Sequence, residues 1–454
     1  MEEYLNKLLS QIRCKKAWPF LDSEIRGHIE DQIEDNLASG MEPEEAEKAA
    51  IADMGDPVEV GISLDRIHRP RMSWGIIALV AFLGLISVVL RFTIYNMIIE
   101  SSADPDKMRM MYRELKMIGI ADWIRCLIVM CIVYFIDYTR IAKYARLIGA
   151  GIIALGLYGL FFGEMLNGTR YTIMFFGLFR VSVASILMLY LPIYGAILYK
   201  YRGKGIGGLL AAIAWMIVPL FVVRSLPNLS QTLLMFVCMM IQLTIAVKKK
   251  WYKVPVKRTI AALWGVMLVL PIISMIGLYS LHMMKPYQEA RVNAFLDGDM
   301  NIMNTFRDMN SDIQFLGKSN VDLMSDSFDS SNTVLTGDFS IIVVLHMYGA
   351  LAGMIVIVAL TSLVVYIFSS VLRQKNEVGL VMGCGCGIII LSNMLLNLLT
   401  VFGVFPPTAS FLPFISTGNS NMMVCYMLVG IVLSIYRYKD IYPRHIRAAQ
   451  KGTS

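Results

Sequence analysis

The chain has 454 residues, of which 56% are hydrophobic and only 17% charged, with a mean hydropathy of +0.60. This balance excludes an ordinary soluble protein with several small cores and defines a multi-spanning membrane protein. The net charge of +7 would suggest a polyanion partner in a soluble chain, but the basic residues collect in short loops between apolar runs, so the charge reports topology and no nucleic acid is expected.

Residues 1 to about 70 are strongly charged and patterned for soluble helices, with no signal peptide. Leu5, Leu8, Leu9 and Ile12 recur at helical spacing, a second amphipathic helix runs from about Phe20 to Leu37 and stops at Gly40, and a third covers Glu42 to Met54 before Gly55-Asp56-Pro57. A small cytoplasmic three-helix domain is the expectation. The segment's ASG-x-x-x-EEA-x-x-x-A-x-x-x-MGDP spacing resembles the prefix domain at the N-termini of some permeases and of HAAS-type bacterial signalling proteins. A solvated acidic cap without a partner is the plainer reading.

Arg69, Arg71 and Trp74 mark the start of the membrane region. From there to residue 454 about ten transmembrane helices are expected in an all-α membrane domain, at approximately 74–98, 119–138, 144–163, 172–200, 205–223, 229–247, 259–283, 338–370, 378–402 and 418–436. Each is near or above the roughly 20 residues needed to cross. Placing the N-terminus in the cytoplasm makes every loop on that side basic: Arg140 to Arg146, Lys200 to Lys204, Lys248 to Arg258, Arg373 with Lys375, and the C-terminal segment from Arg437. The long polar loop, 284–337, then faces outward. It is rich in Asp, Asn and Ser, and a loop of that length in a compact protein tends to be functional or disordered.

Two features argue that the spans enclose a polar space. Arg180 falls inside the expected fourth span, and an intramembrane charge usually faces a bundle interior. Pro406, Pro407 and Pro413 forbid a continuous helix through Phe402 to Ser420, so that backbone must line protein or water. Cys384-Gly-Cys386 has no second ligand pair and lies in a Gly-rich apolar run, which favours tight helix packing over a metal site; no disulfide framework is expected from the seven cysteines.

Three stretches of the membrane region then carry a resemblance. Pro406-Pro407-Thr408 and Leu412-Pro413-Phe414-Ile415-Ser416-Thr417-Gly418-Asn419-Ser420, with Asn397 ahead of them, resemble the signature LPxTGxPLPFISYGGSS; Tyr287-Gln288-x-x-Arg291-Val292-x-x-Phe295-Leu296-Asp297 resembles YQxxRixxfLDP; and Asp338-Phe339 resembles TDFIF, with Gly317-Lys318 similar to a Gly-Lys-Gly. These belong to the shape, elongation, division and sporulation (SEDS) proteins, the FtsW/RodA/SpoVE family. The chain departs from the family where His346 and Met347 replace a Glu-Glu pair, where Asn228 replaces the Asp of Pro-Asp-Leu-Gly-Thr, and around Gly168 to Tyr171 and Ser182 to Ser185.

The resemblance implies a peptidoglycan glycosyltransferase that polymerises lipid II at the outer face of a bacterial plasma membrane, in division, elongation or sporulation, beside a class B penicillin-binding transpeptidase. Asp338 stands where the family has its catalytic carboxylate, suited to accept the proton of the attacking sugar hydroxyl. Arg291 and Lys318 are candidates for stabilising the departing undecaprenyl pyrophosphate, with Arg180 deeper, and Tyr287, Gln288, Pro413, Ser416, Gly418 and Ser420 stand at matched motif positions as further substrate-binding candidates. No cofactor is evident, and the acidic loop either binds a divalent cation weakly or is simply solvated. On the residues alone, Asp338 also reads as a helix N-cap, Arg291 as a partner of Asp297 or lipid phosphate, and His346 as a packing residue. Two other functions stay open: a non-catalytic scaffold or regulator of envelope assembly, and a transporter of lipid-linked precursors.

Overall fold

The computed structural model describes residues 1–100, 105–166, 169–175, 179–226, 229–281, 289, 293, 301–319, 339–405, 408, 410–416 and 418–444. The N-terminal segment forms α1 (Glu2–Ser10), α2 (Trp18–Ala38), α3 (Pro43–Asp53) and α4 (Pro57–Ile67). Leu5, Leu8, Ile12, Leu21, Ile25, Ile29, Ala46 and Ala50 are buried. There are four helices here and not three. The sequence at Gly55-Asp56-Pro57 reads as a stop followed by a turn, but Asp56 also caps the Val58 amide and Pro57 occupies the first helical turn, so a further helix starts at once. Asp65 on α4 is buried and accepts hydrogen bonds from the Arg13 amide (2.9 Å) and the Arg69 guanidinium (2.9 Å), which ties α4 back to the α1–α2 connection.

The membrane region comprises α5 (Trp74–Glu100), α6 (Pro105–Phe135), α7 (Tyr138–Lys143), α8 (Ala145–Phe162), α9 (Val183–Met188), α10 (Tyr190–Lys200), α11 (Ile206–Arg224), α12 (Leu229–Lys248), α13 (Val256–Ser280), α14 (Asn301–Ser311), α15 (Ser340–Tyr348), α16 (Ala350–Leu372), α17 (Glu377–Val401) and α18 (Asn419–Arg437). Among the described residues eight helical stretches are long and apolar enough to cross a membrane: Trp74–Met97, Ala145–Phe162, Val183–Lys200, Ile206–Arg224, Ser230–Lys248, Ala350–Leu372, Glu377–Val401 and Asn419–Arg437. The 31-residue α6 and 25-residue α13 stand where the second and seventh spans are expected.

Two expected spans are shorter than their apolar runs. The fourth begins only at Val183. The residues before it form an antiparallel sheet, β1 (Glu164–Leu166), β2 (Thr169–Phe175) and β3 (Phe179–Ser182), in which Ile173 faces Val181 and Met174 faces Arg180. Its aromatic and β-branched residues suit a strand as well as a span. Arg180 is therefore not an intramembrane charge: it lies on β3, 56% exposed, 2.9 Å from Glu164. The eighth span is likewise cut, at Gly349. That residue has φ +90 and separates the buried α15 from the spanning α16.

Helices α10 and α17 form the centre of the bundle, both buried along most of their length. Gly383 and Gly385 permit this, because a Cβ at the first would strike Val371 and one at the second the amide of Gln242. Gln242 on α12 donates to the carbonyls of Leu191 (3.0 Å) and Val381 (3.2 Å), so one buried amide ties three helices together. All seven cysteines are free, and Cys384 and Cys386 are buried in this packing.

The N-terminal helices are latched to the end of the bundle that carries the C-terminal segment. Asp137, capping α7, is buried and accepts hydrogen bonds from Lys16 (2.6 Å), Tyr442 (2.5 Å) and Thr139, while Lys16 also reaches the Tyr438 hydroxyl (3.0 Å). His68 and Arg71 contact Asp440 nearby. Burial works to raise the Asp137 pKa, but the Lys16, Tyr442 and Thr139 donors outweigh it and hold the carboxyl below the usual aspartate range.

Lys16→Ala is expected to cost on the order of 1–2 kcal/mol, toward the low end because Lys16 is partly exposed, and to raise amide exchange throughout α1–α4. Because the folded-state pKa of Asp137 is depressed, its contribution is complete above the unfolded value of about 4 and is lost as pH falls through the lower folded value. Exchange protection of the N-terminal helices should therefore fall in acid in the wild type and vary less with pH in Asp137→Asn.

Candidate active site

At the opposite end of the bundle from the Asp137 latch, the described residues between α17 and α18 form no α-helix, and their polar groups are answered from within the protein. The Asn397 side chain donates to the Ser410 carbonyl (3.1 Å), the Ser416 hydroxyl accepts from the Leu412 amide (2.8 Å), and the Ser87 hydroxyl of α5 donates to the Ile415 carbonyl (3.3 Å). Phe414 sits at φ +65, a conformation bulky residues rarely adopt, with its ring edge-on to Tyr426 at 5.3 Å. Pro413 and Ser416 are buried and shape this loop. Gly418 caps α18, and Ser420 accepts the Ser182 amide (3.0 Å), closing the edge of β3; Ser185 donates to Asn421 (2.6 Å).

A buried charge lies against this loop. Arg91 of α5 is 5% exposed, donates to the Asn419 side chain (2.9 Å) and stands 3.8 Å from Asp122 of α6, which also pairs with Arg125. Val88, Phe92, Tyr95, Gly119 and Ile120 surround it. The sequence reading singled out Arg180 and missed this pair, although Arg91 in the first span and Asp122 in the second carried the same signal of an expensive intramembrane charge.

The described part of the long polar loop folds over the same end. α14 turns Phe306 and Met309 inward, with Phe306 against Phe339 at 5.4 Å, and Arg307 and Asn310 donate to the carbonyls of Gly403 (2.9 Å) and Val401 (2.8 Å). Residues 314–319 then run along the break at Gly349. Ser319 is bound twice to His346, amide to carbonyl and hydroxyl to Nδ1, both at 2.8 Å. His346 is thus a buried residue in a fixed contact. Lys318, next to it, is exposed.

The structure therefore gathers Lys318, Pro413, Ser416, Gly418 and Ser420 at one end. Asp338, Tyr287, Gln288 and Arg291 lie outside the described residues. Among the described residues no group of three His, Cys, Asp or Glu side chains is placed to hold a metal ion.

This arrangement defines a polytopic helical membrane protein with a cluster of polar side chains at one end, partly covered by α14 and the 314–319 turn. The sequence model of the FtsW/RodA/SpoVE family, described as cell cycle proteins, matches residues 70–441, and the chain belongs to that family. A probable peptidoglycan glycosyltransferase FtsW of Enterococcus hirae is 29% identical over 98 residues, 22% of this chain and 25% of that protein, so the match spans only about a quarter of the relative's length. Among solved structures, a chain of a peptidoglycan synthase complex that coordinates polymerization and crosslinking superposes with a TM-score of 0.61 at 18% identity, over 81% of this chain and 98% of that one. The rod shape determining protein RodA of Thermus thermophilus gives 0.55 at 15% identity, over 81% and 97%. These likenesses establish the shared fold.

Arg91→Met takes one of two cations from Asp122, which keeps Arg125, and leaves the Asn419 side chain without its donor; it is expected to destabilise the protein by about 1–2 kcal/mol. Arg91→Met combined with Asp122→Leu should recover most of that loss. Thermal unfolding of the purified variants in one detergent checks both.

Proposed function

We propose that this protein is a SEDS-type peptidoglycan glycosyltransferase that polymerises lipid II at the outer face of a bacterial plasma membrane. The observation that carries the reading is the family match over residues 70–441, which includes the loop at 410–416. In this reading Asp338, one residue before the described Phe339, accepts the proton of the attacking sugar hydroxyl. Cations at this end then stabilise charge on the departing diphosphate. Lys318 suits that task by its exposure and Arg291 by its motif; Arg180, paired with Glu164 on the sheet, suits it less. In this reading both termini lie in the cytoplasm, which the basic loops support, and a class B penicillin-binding transpeptidase is the partner that the family and its solved complex suggest.

His346 favours a second reading, a non-catalytic scaffold of envelope assembly. It replaces a family carboxylate and is engaged with Ser319.

Purified protein should polymerise labelled lipid II, and Asp338→Ala should lower the rate by at least about 100-fold while leaving the folding transition unchanged. Absence of product from wild-type protein, with and without the transpeptidase, under conditions where a well-matched relative works, would favour the scaffold. Reporter fusions after residue 250 and within 301–319 are expected on opposite sides of the membrane.

A further inference from the structure

The 314–319 turn presents Phe315 and Leu316 to the outside, each 62% exposed, where a soluble loop would carry polar residues. Its backbone is nonetheless fixed. The amides of Ala350 and Leu351 donate to the carbonyls of Gln314 (2.9 Å) and Phe315 (3.1 Å), and the Ser319 amide donates to His346 (2.8 Å). The approach is so close that a Cβ at Gly349 would come 2.8 Å from the Phe315 oxygen and 2.9 Å from the Leu316 Cα. The two apolar side chains are therefore displayed by a braced turn.

What they are displayed to follows from where the turn is braced. Ala350 is the first residue of a membrane span, and Leu351, hydrogen-bonded to Phe315, begins the exposed apolar stripe of that span, which continues through Met354, Ile355 and Val358. Phe315 and Leu316, held against the first turn of the helix, stand at the start of this exposed apolar stripe. Tyr348, 41% exposed, lies at the same level, and aromatic residues at span ends sit at the headgroup boundary. Lys318 follows two residues after Leu316, with Gly317 at φ +88 turning the chain between them. Apolar side chains beside a cation are the pattern of a segment lying in the membrane interface.

We propose that the 314–319 turn is a membrane-interface anchor, with Phe315 and Leu316 seated at the lipid boundary and Lys318 at the depth of the phospholipid phosphates. The occupant of this surface is the bilayer itself. The proposal concerns placement and stands whether or not the protein polymerises glycan.

The test uses the full-length protein in vesicles of phosphatidylethanolamine and phosphatidylglycerol. Cys14 and Cys131, the cysteines that are not buried, are replaced by Ser, and an environment-sensitive fluorophore is attached at Leu316→Cys or, as a control, at the exposed Ser311→Cys. At 316, nitroxide lipids labelled near the headgroup should quench more than those labelled near the chain end, by roughly a factor of two, with little quenching by aqueous iodide. At 311 iodide should dominate. Equal iodide quenching at both positions would overturn the proposal. Benzoylphenylalanine in place of Phe315 gives a second measurement that preserves the aromatic ring. Crosslinking to phospholipid is expected. Crosslinking only to a second copy of the chain or to another protein would show that this surface is a protein interface and overturn the anchor.

Discussion

Hydrocarbon offers no hydrogen-bond partners, so every backbone group inside the bilayer must be satisfied by the protein itself. The architecture follows from that constraint. Where the chain can stay helical it crosses; around the 410–416 loop its backbone groups are met by Asn397 and Ser87 from neighbouring helices and by Ser416 within the loop, and at the Gly349 break by the 314–315 carbonyls. The interruptions cluster at one end of the bundle because that is where the α17–α18 connection and the long polar loop can cover each other. A cluster of polar side chains at that end is the consequence.

Charge is distributed by the same logic. Arg91 and Asp122 lie within the bundle as a pair, with Asn419 taking a further guanidinium hydrogen. Asp137 is buried at the other end, where Lys16 and Tyr442 bring the two termini of the chain together over one carboxylate. Helix α18 runs between these two polar centres, from Asn419 beside Arg91 to Arg437 next to Tyr438.

Family membership and local chemistry speak to different things. The fold is kept at 15–18% identity to its solved relatives, because burial pattern and helix packing tolerate substitution as long as volume and polarity are preserved. Individual polar groups are less forgiving. His346, buried beneath the 314–319 turn, is one of them. Its contact with Ser319 shows that the position has a fixed role in bracing the turn beside Lys318.

Length, hydropathy and the spacing of basic loops determined by themselves that this is a multi-pass helical membrane protein with a soluble helical segment in front, because transfer of apolar side chains into lipid is a property of composition and run length. The motifs at 406–420 pointed to the family, and Cys384-Gly-Cys386 was legible as close helix packing. Tertiary structure decided the rest. Whether Thr172 to Phe175 and Phe179 to Ser182 are strand or span depends on what their residues pair with, and so Arg180 stands on a sheet and not in a spanning helix. Gly349 became a break because the 314–316 backbone passes where a Cβ would stand. The Arg91–Asp122 pair and the Lys16–Asp137 latch join residues 31 and 121 positions apart in the chain, and no local pattern encodes a contact whose energy exists only once the helices have packed.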